Sequence, residues 1–369
     1  MSRNAYMLQG KLATRGYDWW WHSLVGVSKS SGLQRPFFIE YFAINPALGG
    51  KEPILGQLEE NKRQGIRPSY AMLMAGSWSQ NEAVQIHNYY GITDFTASVD
   101  KMDVRIGDNF ATETHIKGAV KLSQTQATEH PEFMSDAGEM SWDLEAKKVL
   151  SYSVGCGASE LARSLNAFQM YWHIQGMKTL YNGTIIFNGE EFAVTPETSY
   201  GYQDKNWGTD YTNPWVWLNC NNFTCRTTKK KLALTSLDVG GAKAVFFGVP
   251  LQRSVLVVFY HEERLYEFNF SKIWQSPRQK FRCEVTEKEV IWDIVAWNKQ
   301  AKIEIYFTCA KDTMLFINYE NPDGEKKHNQ LWNGGYAAGT VKLYQRTGKD
   351  FELIDIFDGE LGGCEYGVY

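Results

Sequence analysis

A chain of 369 residues with 13 Trp, 20 Tyr and 20 Phe suits two domains of ordinary size or one large β architecture, since aromatic and β-branched residues favour strands. A formal net charge of -4 spread over the whole length gives no basic footprint for nucleic acid, and 32 glycines without a period exclude a collagen-like or low-complexity chain. No apolar run approaches the ~20 residues that a membrane-spanning helix needs.

Residues 17–25 read Tyr-Asp-Trp-Trp-Trp-His-Ser-Leu-Val, an aromatic strand that opens the fold. In a strand Asp18, Trp20 and His22 share one face while Trp19 and Trp21 share the other. Residues 36–44 read as a second strand, ended by Asn45-Pro46, and the two make a plausible hairpin. Glu40 sits inside this second strand with Phe38 and Phe42 on its own face. An ionised carboxylate there is costly unless paired, so Glu40 is protonated, bonded to a partner, or at a polar spot in a cavity.

Residues 47–69 are rich in Gly, Pro and charge, with room for one short helix over 55–64, and 70–78 is again strand-like. Three short β runs entered by glycine, at Gly118, Gly183 and Gly339, echo one another as two sheets of similar plan would. Residues 157–171 carry Leu161, Leu165 and Phe168 at helical spacing, which predicts a helix. Beyond 214 the pattern is almost all hairpin: 254–260 with 265–270, then 290–297 with 302–308, and a turn at Asn321-Pro-Asp-Gly324. Lys229, Lys230 and Lys231 read as a solvated turn. The expected fold is therefore mostly β and antiparallel, a barrel or sandwich in two halves, 1–199 and 200–369.

The densest chemistry lies in Tyr202-Gln-Asp-Lys-Asn-Trp-Gly208, followed by Pro214-Trp-Val-Trp-Leu-Asn219. Asp204, Lys205 and Asn206 stand in consecutive positions, and Trp215 and Trp217 share a face at spacing two. Such residues offer a proton donor or a charge pair beside electron-rich indole faces, which attract cations. The other reading is a buried ion pair at a sheet corner, with tryptophans filling the core.

Common catalytic signatures are missing: there is no P-loop, no HExxH and no GxSxG. Seven histidines are dispersed, and the six cysteines form no CxxC pair, so neither zinc nor a disulfide scaffold is expected. Asn182-Gly-Thr, Asn222-Phe-Thr and Asn269-Phe-Ser match the glycosylation sequon, but the opening residues show no signal peptide, so a reduced, cytoplasmic protein is expected.

The central motif resembles the signature Tyr-x-Glu-Lys-Asn-Trp-Gly…Trp-x-Trp-x-Gln-x-Asn-x-Phe of the tocopherol cyclase family. Tyr17-Asp-Trp-Trp-Trp-His22 is similar to that family's opening block, Phe42-Ala-Ile-Asn-Pro46 to its Tyr-Ser-Val-Glu-Asn-Pro, and the tail Gly363-Cys-Glu-Tyr-Gly367 falls in the expected order. Asp204 replaces the usual Glu, Asp18-Trp19 replaces Glu-Gly, and the family's acidic Gly-Pro-Asp segment has no clear counterpart. The resemblance implies two lipocalin-like β-barrel halves packed together, an architecture shared with carotenoid-hydratase-like proteins. It also implies an acid-catalysed cyclase or isomerase (an intramolecular lyase) that closes a ring on a hydrophobic phenolic or isoprenoid substrate without cofactor or metal. A hydratase and a non-catalytic lipocalin-like carrier are the alternatives, and homo-oligomerisation is left open. Asp204 is expected as the acid or as the group that tunes it, with Lys205 and Asn206 orienting it; if Asp204 is instead paired with Lys205, the proton donor is another group such as His22, Glu40 or Tyr202. Trp20, Trp207, Trp215, Trp217 and Asp18 are expected against the substrate, in one deep apolar pocket.

Overall fold

The computed structural model describes residues 2–154, 167–243, 245–250, 252–270, 272, 277–327 and 330–368. The helix expected over 157–171 lies outside them as far as residue 166, and from Met170 the chain is strand.

The described chain is mostly antiparallel β, in two large sheets. In the first, Tyr17–Ser28 pairs with Gln34–Ile44 in the hairpin that the sequence predicts, and Tyr70–Ser77 and Val84–Tyr90 extend that side. On its other side Tyr17–Ser28 meets both Glu190–Val194 and Gly201–Gly208, and each of these also pairs with Met170–Phe187. These pairings close a small barrel, to which Gly138–Tyr152, His115–Leu122 and shorter strands add. The second sheet curls as a half-barrel from Arg264–Phe268 through Ser254–His261, Ser236–Ala242, Trp215–Cys220, Asp350–Gly367, Leu331–Thr347, Ala301–Ala310 and Glu289–Trp297 to Arg278–Val285. The strand Gly201–Gly208, expected to begin the second half, is paired within the first sheet, and the chain changes sheets between Gly208 and Trp215.

Period-two geometry sends alternate residues of these strands into different cores. Trp20, Leu24, Ile39 and Tyr41 fill the inside of the first barrel, and Val216, Leu218 and Cys220 fill the inside of the second sheet. Between the sheets lies a third apolar layer. There Trp19, Trp21, Phe38, Phe42 and Tyr202 of the first sheet meet Trp215, Trp217 and Leu331 of the second, together with Tyr319 of the small hairpin formed by Tyr319–Glu320 and Lys326–Lys327. Tyr17–Ser28 is thus buried on both faces, which is why its sequence shows no alternation. The remaining hairpins fall where predicted, Ser254–His261 with Arg264–Phe268 and Glu289–Trp297 with Ala301–Ala310. The short helix of the long connection is Glu59–Gln64.

Candidate active site

The site lies in the layer between the sheets, and strand register builds it. Trp21 pairs with Glu40 on one side and with Asp204 on the other, so one row across three strands presents carboxyl, indole and carboxyl to the same face. Trp19 pairs with Asn206 in the next row on that face. From the second sheet, Trp217 pairs with Glu365, and Asn219 with Asp238. A cavity of about 20 Å³ remains between them, walled by Trp19, Trp21, Trp215, Trp217 and Tyr319. Asp204, Asn206 and Glu365 supply its polar lining. Glycines let the indoles lie close to the second sheet: a Cβ on Gly240 would come within 2.2 Å of Trp172, and one on Gly363 within 2.5 Å of Trp217.

Hydrogen bonds hold the carboxyls in distinct ways. Asp204 Oδ2 accepts from Trp172 Nε1 at 2.8 Å and from the Tyr202 hydroxyl at 3.2 Å, while Asp204 Oδ1 has no partner among the described residues. Glu365 accepts on both oxygens, from Trp215 Nε1 at 2.6 Å and Asn333 Nδ2 at 2.7 Å. The Tyr319 hydroxyl donates to Glu40 Oε2, and Tyr319 stacks on Trp19 at 5.1 Å. Tyr17 donates to Asn206 Oδ1 at 3.3 Å.

Burial makes these groups reluctant to ionise. It pushes Asp204 up to about 7, and the neighbouring Glu365 adds to the rise against the bonds from Trp172 and Tyr202. Burial raises Glu365 to about 7 as well. Glu40 and Asp238 are held well above the carboxylate range by burial, with Asp204 adding to both shifts. The layer therefore stores protons at neutral pH.

This storage has a measurable consequence. Folded Asp204 keeps its proton up to about pH 7, whereas its ordinary value is 3.8. Between those values the folded state binds more protons than the unfolded one, so this contribution to stability shrinks as pH rises through the window. His22 runs the other way, because burial lowers it from 6.5 to about 3, and its contribution is lost as pH falls through that range. Thermal unfolding between pH 4.5 and 7.5 is expected to show wild type losing more stability with rising pH than Asp204→Asn does. Equal slopes would mean that Asp204 ionises in the fold as it does in the unfolded chain.

Of the residues singled out from sequence, Asp204, Asn206, Tyr202, Glu40, Trp215 and Trp217 lie together in this layer. Lys205, Asp18, Trp20, Trp207 and His22 lie on the opposite strand face, which corrects the expectation of one shared pocket. Lys205 forms a fully buried ion pair with Asp18, and its ammonium sits 3.8 Å from the Trp20 ring centre and 5.4 Å from that of Trp207. Trp207 stacks on Tyr171 at 5.4 Å. His22 Nδ1 meets the Tyr181 hydroxyl at 2.8 Å, among the aromatic side chains of the first barrel's core. Lys205 cannot orient Asp204, because neighbours in a strand point to opposite faces. Nor is the pocket deep: aromatic rings fill it to about 20 Å³.

Sequence reasoning missed Glu365, Tyr319, Trp172, Asp238 and the Trp19–Trp21 face. The signal for Glu365 lay in the tail Gly363-Cys-Glu-Tyr-Gly367, where it is the one carboxyl in a glycine-flanked strand end.

The model of the family described as "Tocopherol cyclase-like" matches residues 44–368. The chain belongs to the tocopherol cyclase-like family. It is 28% identical over 149 residues to "Probable tocopherol cyclase, chloroplastic" of Oryza sativa subsp. japonica, covering 38% of this chain and 27% of that protein. It is 27% identical over 152 residues to "Tocopherol cyclase, chloroplastic" of Zea mays, covering 39% and 28%. The chain thus spans little more than a quarter of the length of these curated relatives. Among solved structures it is similar to kievitone hydratase from Nectria haematococca, with a TM-score of 0.45 and 12% identity over 98% of this chain and 92% of that one. Within this tocopherol cyclase-like chain, Asp204 from its middle and Glu365 from its last strand meet at the carboxyl-lined cavity.

Proposed function

We propose that this chain is an acid catalyst of ring closure on a prenylated phenol. The observation that carries the reading is Asp204 Oδ1: it belongs to a buried carboxyl raised to about 7, has no hydrogen-bond partner among the described residues, and lines a cavity walled by four indoles. A protonated Asp204 donates to the prenyl double bond at its less substituted carbon, and a tertiary cation forms. The faces of Trp19, Trp21, Trp215 and Trp217 stabilise that cation, and the dry layer keeps bulk water from quenching it. The phenol oxygen then closes the ring. Substrate and product are isomers, so no redox partner enters the balance. A prenylated phenol exceeds 20 Å³, so entry requires the aromatic wall of Trp19, Trp21, Trp215, Trp217 and Tyr319 to swing aside.

A hydratase uses the same acid and differs in its nucleophile. A cavity of about 20 Å³ takes one water, which favours this as the second reading. A carrier of an apolar ligand is disfavoured, because buried carboxyls weaken an apolar site.

The test is incubation of the purified chain with a panel of 2-prenylated hydroquinones in deuterium oxide between pH 5 and 8. A chromanol isomer carrying one deuterium on the former alkene carbon is the expected product. A product heavier by one water assigns the hydratase. Unchanged substrate throughout the panel sinks both.

A further inference from the structure

Ring closure moves protons at two places. The alkene gains one at carbon, and the phenol loses one at oxygen as the new C–O bond forms. Asp204 cannot deliver the first and collect the second in the same instant. We infer that Glu365 is the base that takes the phenolic proton and passes it back to Asp204, so that the cavity works as a pair of carboxyls with separate tasks. This rests on the acid-catalysed reading above.

The two carboxyls enter one cavity from opposite sheets, Asp204 on Gly201–Gly208 and Glu365 on Asp350–Gly367. Their hydrogen bonds differ in a way that divides the labour. Trp172 and Tyr202 both donate to Asp204 Oδ2, and the Trp19 indole on the cavity wall interacts with the same carboxyl more weakly, which leaves Oδ1 without a partner within hydrogen-bond distance among the described residues, free to carry a proton outward. Glu365 receives one N–H on each oxygen, an arrangement that favours the ionised form. The orientation of Asn333 is fixed by Trp78, whose Nε1 lies 2.7 Å from Asn333 Oδ1. An indole N–H can only donate, so the amide oxygen faces Trp78 and the NH₂ faces Glu365. Trp215 likewise can only donate. Glu365 is thus built as an acceptor.

The steps balance. The Asp204 O–H bond breaks as a C–H bond forms; the phenol O–H bond breaks as the C–O bond forms, and its proton goes to Glu365. Return of that proton to Asp204 restores the resting pair. Two carboxyls in one buried cavity resist ionising together, and both are raised to about 7, so this return is close to level in energy. The other titratable groups near Glu365 are Glu40, Tyr319 and Cys364. All three stay neutral through the relevant range, since burial raises each well above its ordinary value.

The test uses the full chain with two probes, a 2-prenylated hydroquinone and its phenol-O-methyl ether in deuterium oxide. The ether has no phenolic proton to lose, yet Asp204 alone can exchange the vinylic hydrogen of its prenyl group by reversible protonation of that carbon. In Glu365→Gln, ring closure of the hydroquinone is expected to fall roughly 10²-fold or more, and the acid limb of its pH–rate profile to disappear. Exchange into the ether persists, and Glu365→Asp restores part of the closure. Wild-type closure by Glu365→Gln, or equal loss of closure and exchange, overturns the inference. If Glu365→Gln does not fold, Asn333→Leu replaces it: one N–H donor is removed, and the acid limb must move to higher pH. An unmoved limb counts against Glu365. Wild-type closure by Asp204→Asn, or no turnover of any probe, instead removes the acid-catalysed reading itself.

Discussion

Asp204→Asn is expected to lower the closure rate of a prenylated hydroquinone by roughly 10²–10⁴-fold, with little change in affinity for the probe. The substitution keeps the shape of the side chain and its bonds from Trp172 and Tyr202 on one oxygen, and it removes the titratable proton. Packing in the layer is otherwise unchanged, so the variant is expected to fold. The wild-type rate should fall on the alkaline side as Asp204, raised to about 7, loses its proton. A companion variant fixes the assignment. Trp172→Phe takes away an N–H that favours the ionised form, so Asp204 holds its proton to higher pH and the alkaline limb moves up. An Asp204→Asn protein that folds, binds and closes rings at the wild-type rate would remove Asp204 from the chemistry. A limb that stays in place in Trp172→Phe would assign it to another group.

Much of this fold could be read from the sequence because turns and strand composition are local. The hairpin of Tyr17–Ser28 with Gln34–Ile44, the strand Tyr70–Ser77 and the later hairpins all announce themselves through aromatic runs and polar turns. The grouping of the site was harder. Asp204 and Lys205 look like a pair in sequence, yet period two sends one between the sheets and the other toward Asp18. That separation follows from any strand assignment and needed no structure. Which side of Trp19-Trp20-Trp21 faces the site did need one, since both faces of that strand are buried under similar aromatic rings. Glu40 was legible as a lone acid on an apolar face, and its partner Tyr319 was not. The glycine-flanked tail marks Glu365 as a lone carboxyl, but its meeting with Asp204 comes only through the packing of the two sheets, which neither strand's local pattern records.

Lys205→Met is expected to destabilise the fold by about 3–5 kcal/mol at pH 7 while leaving the rate per folded molecule unchanged. Lys205 and Asp18 are both fully buried, and their ion pair sits beneath Trp20 and Trp207. Asp18 also accepts the Met7 backbone N–H at 2.8 Å, so it remains tied to the chain opening when its cation is gone. The penalty arises from the carboxylate left without a counter-charge in a dry environment. Burial already pushes Asp18 up to about 6 with Lys205 opposing the shift, and without Lys205 it rises further. A raised carboxyl gives a folded state that binds more protons than the unfolded chain, so the variant should regain stability as pH falls below that raised value. Urea unfolding at pH 7 and pH 5 checks this: the gap between wild type and Lys205→Met must narrow at the lower pH. Asp18→Asn combined with Lys205→Met keeps an oxygen for the Met7 N–H and removes the orphaned charge, and it is expected to recover part of the loss. The same variants decide whether the second strand face takes part in the chemistry. If Lys205 orients Asp204, the folded fraction of Lys205→Met turns over slowly; if strand geometry separates them, only stability changes.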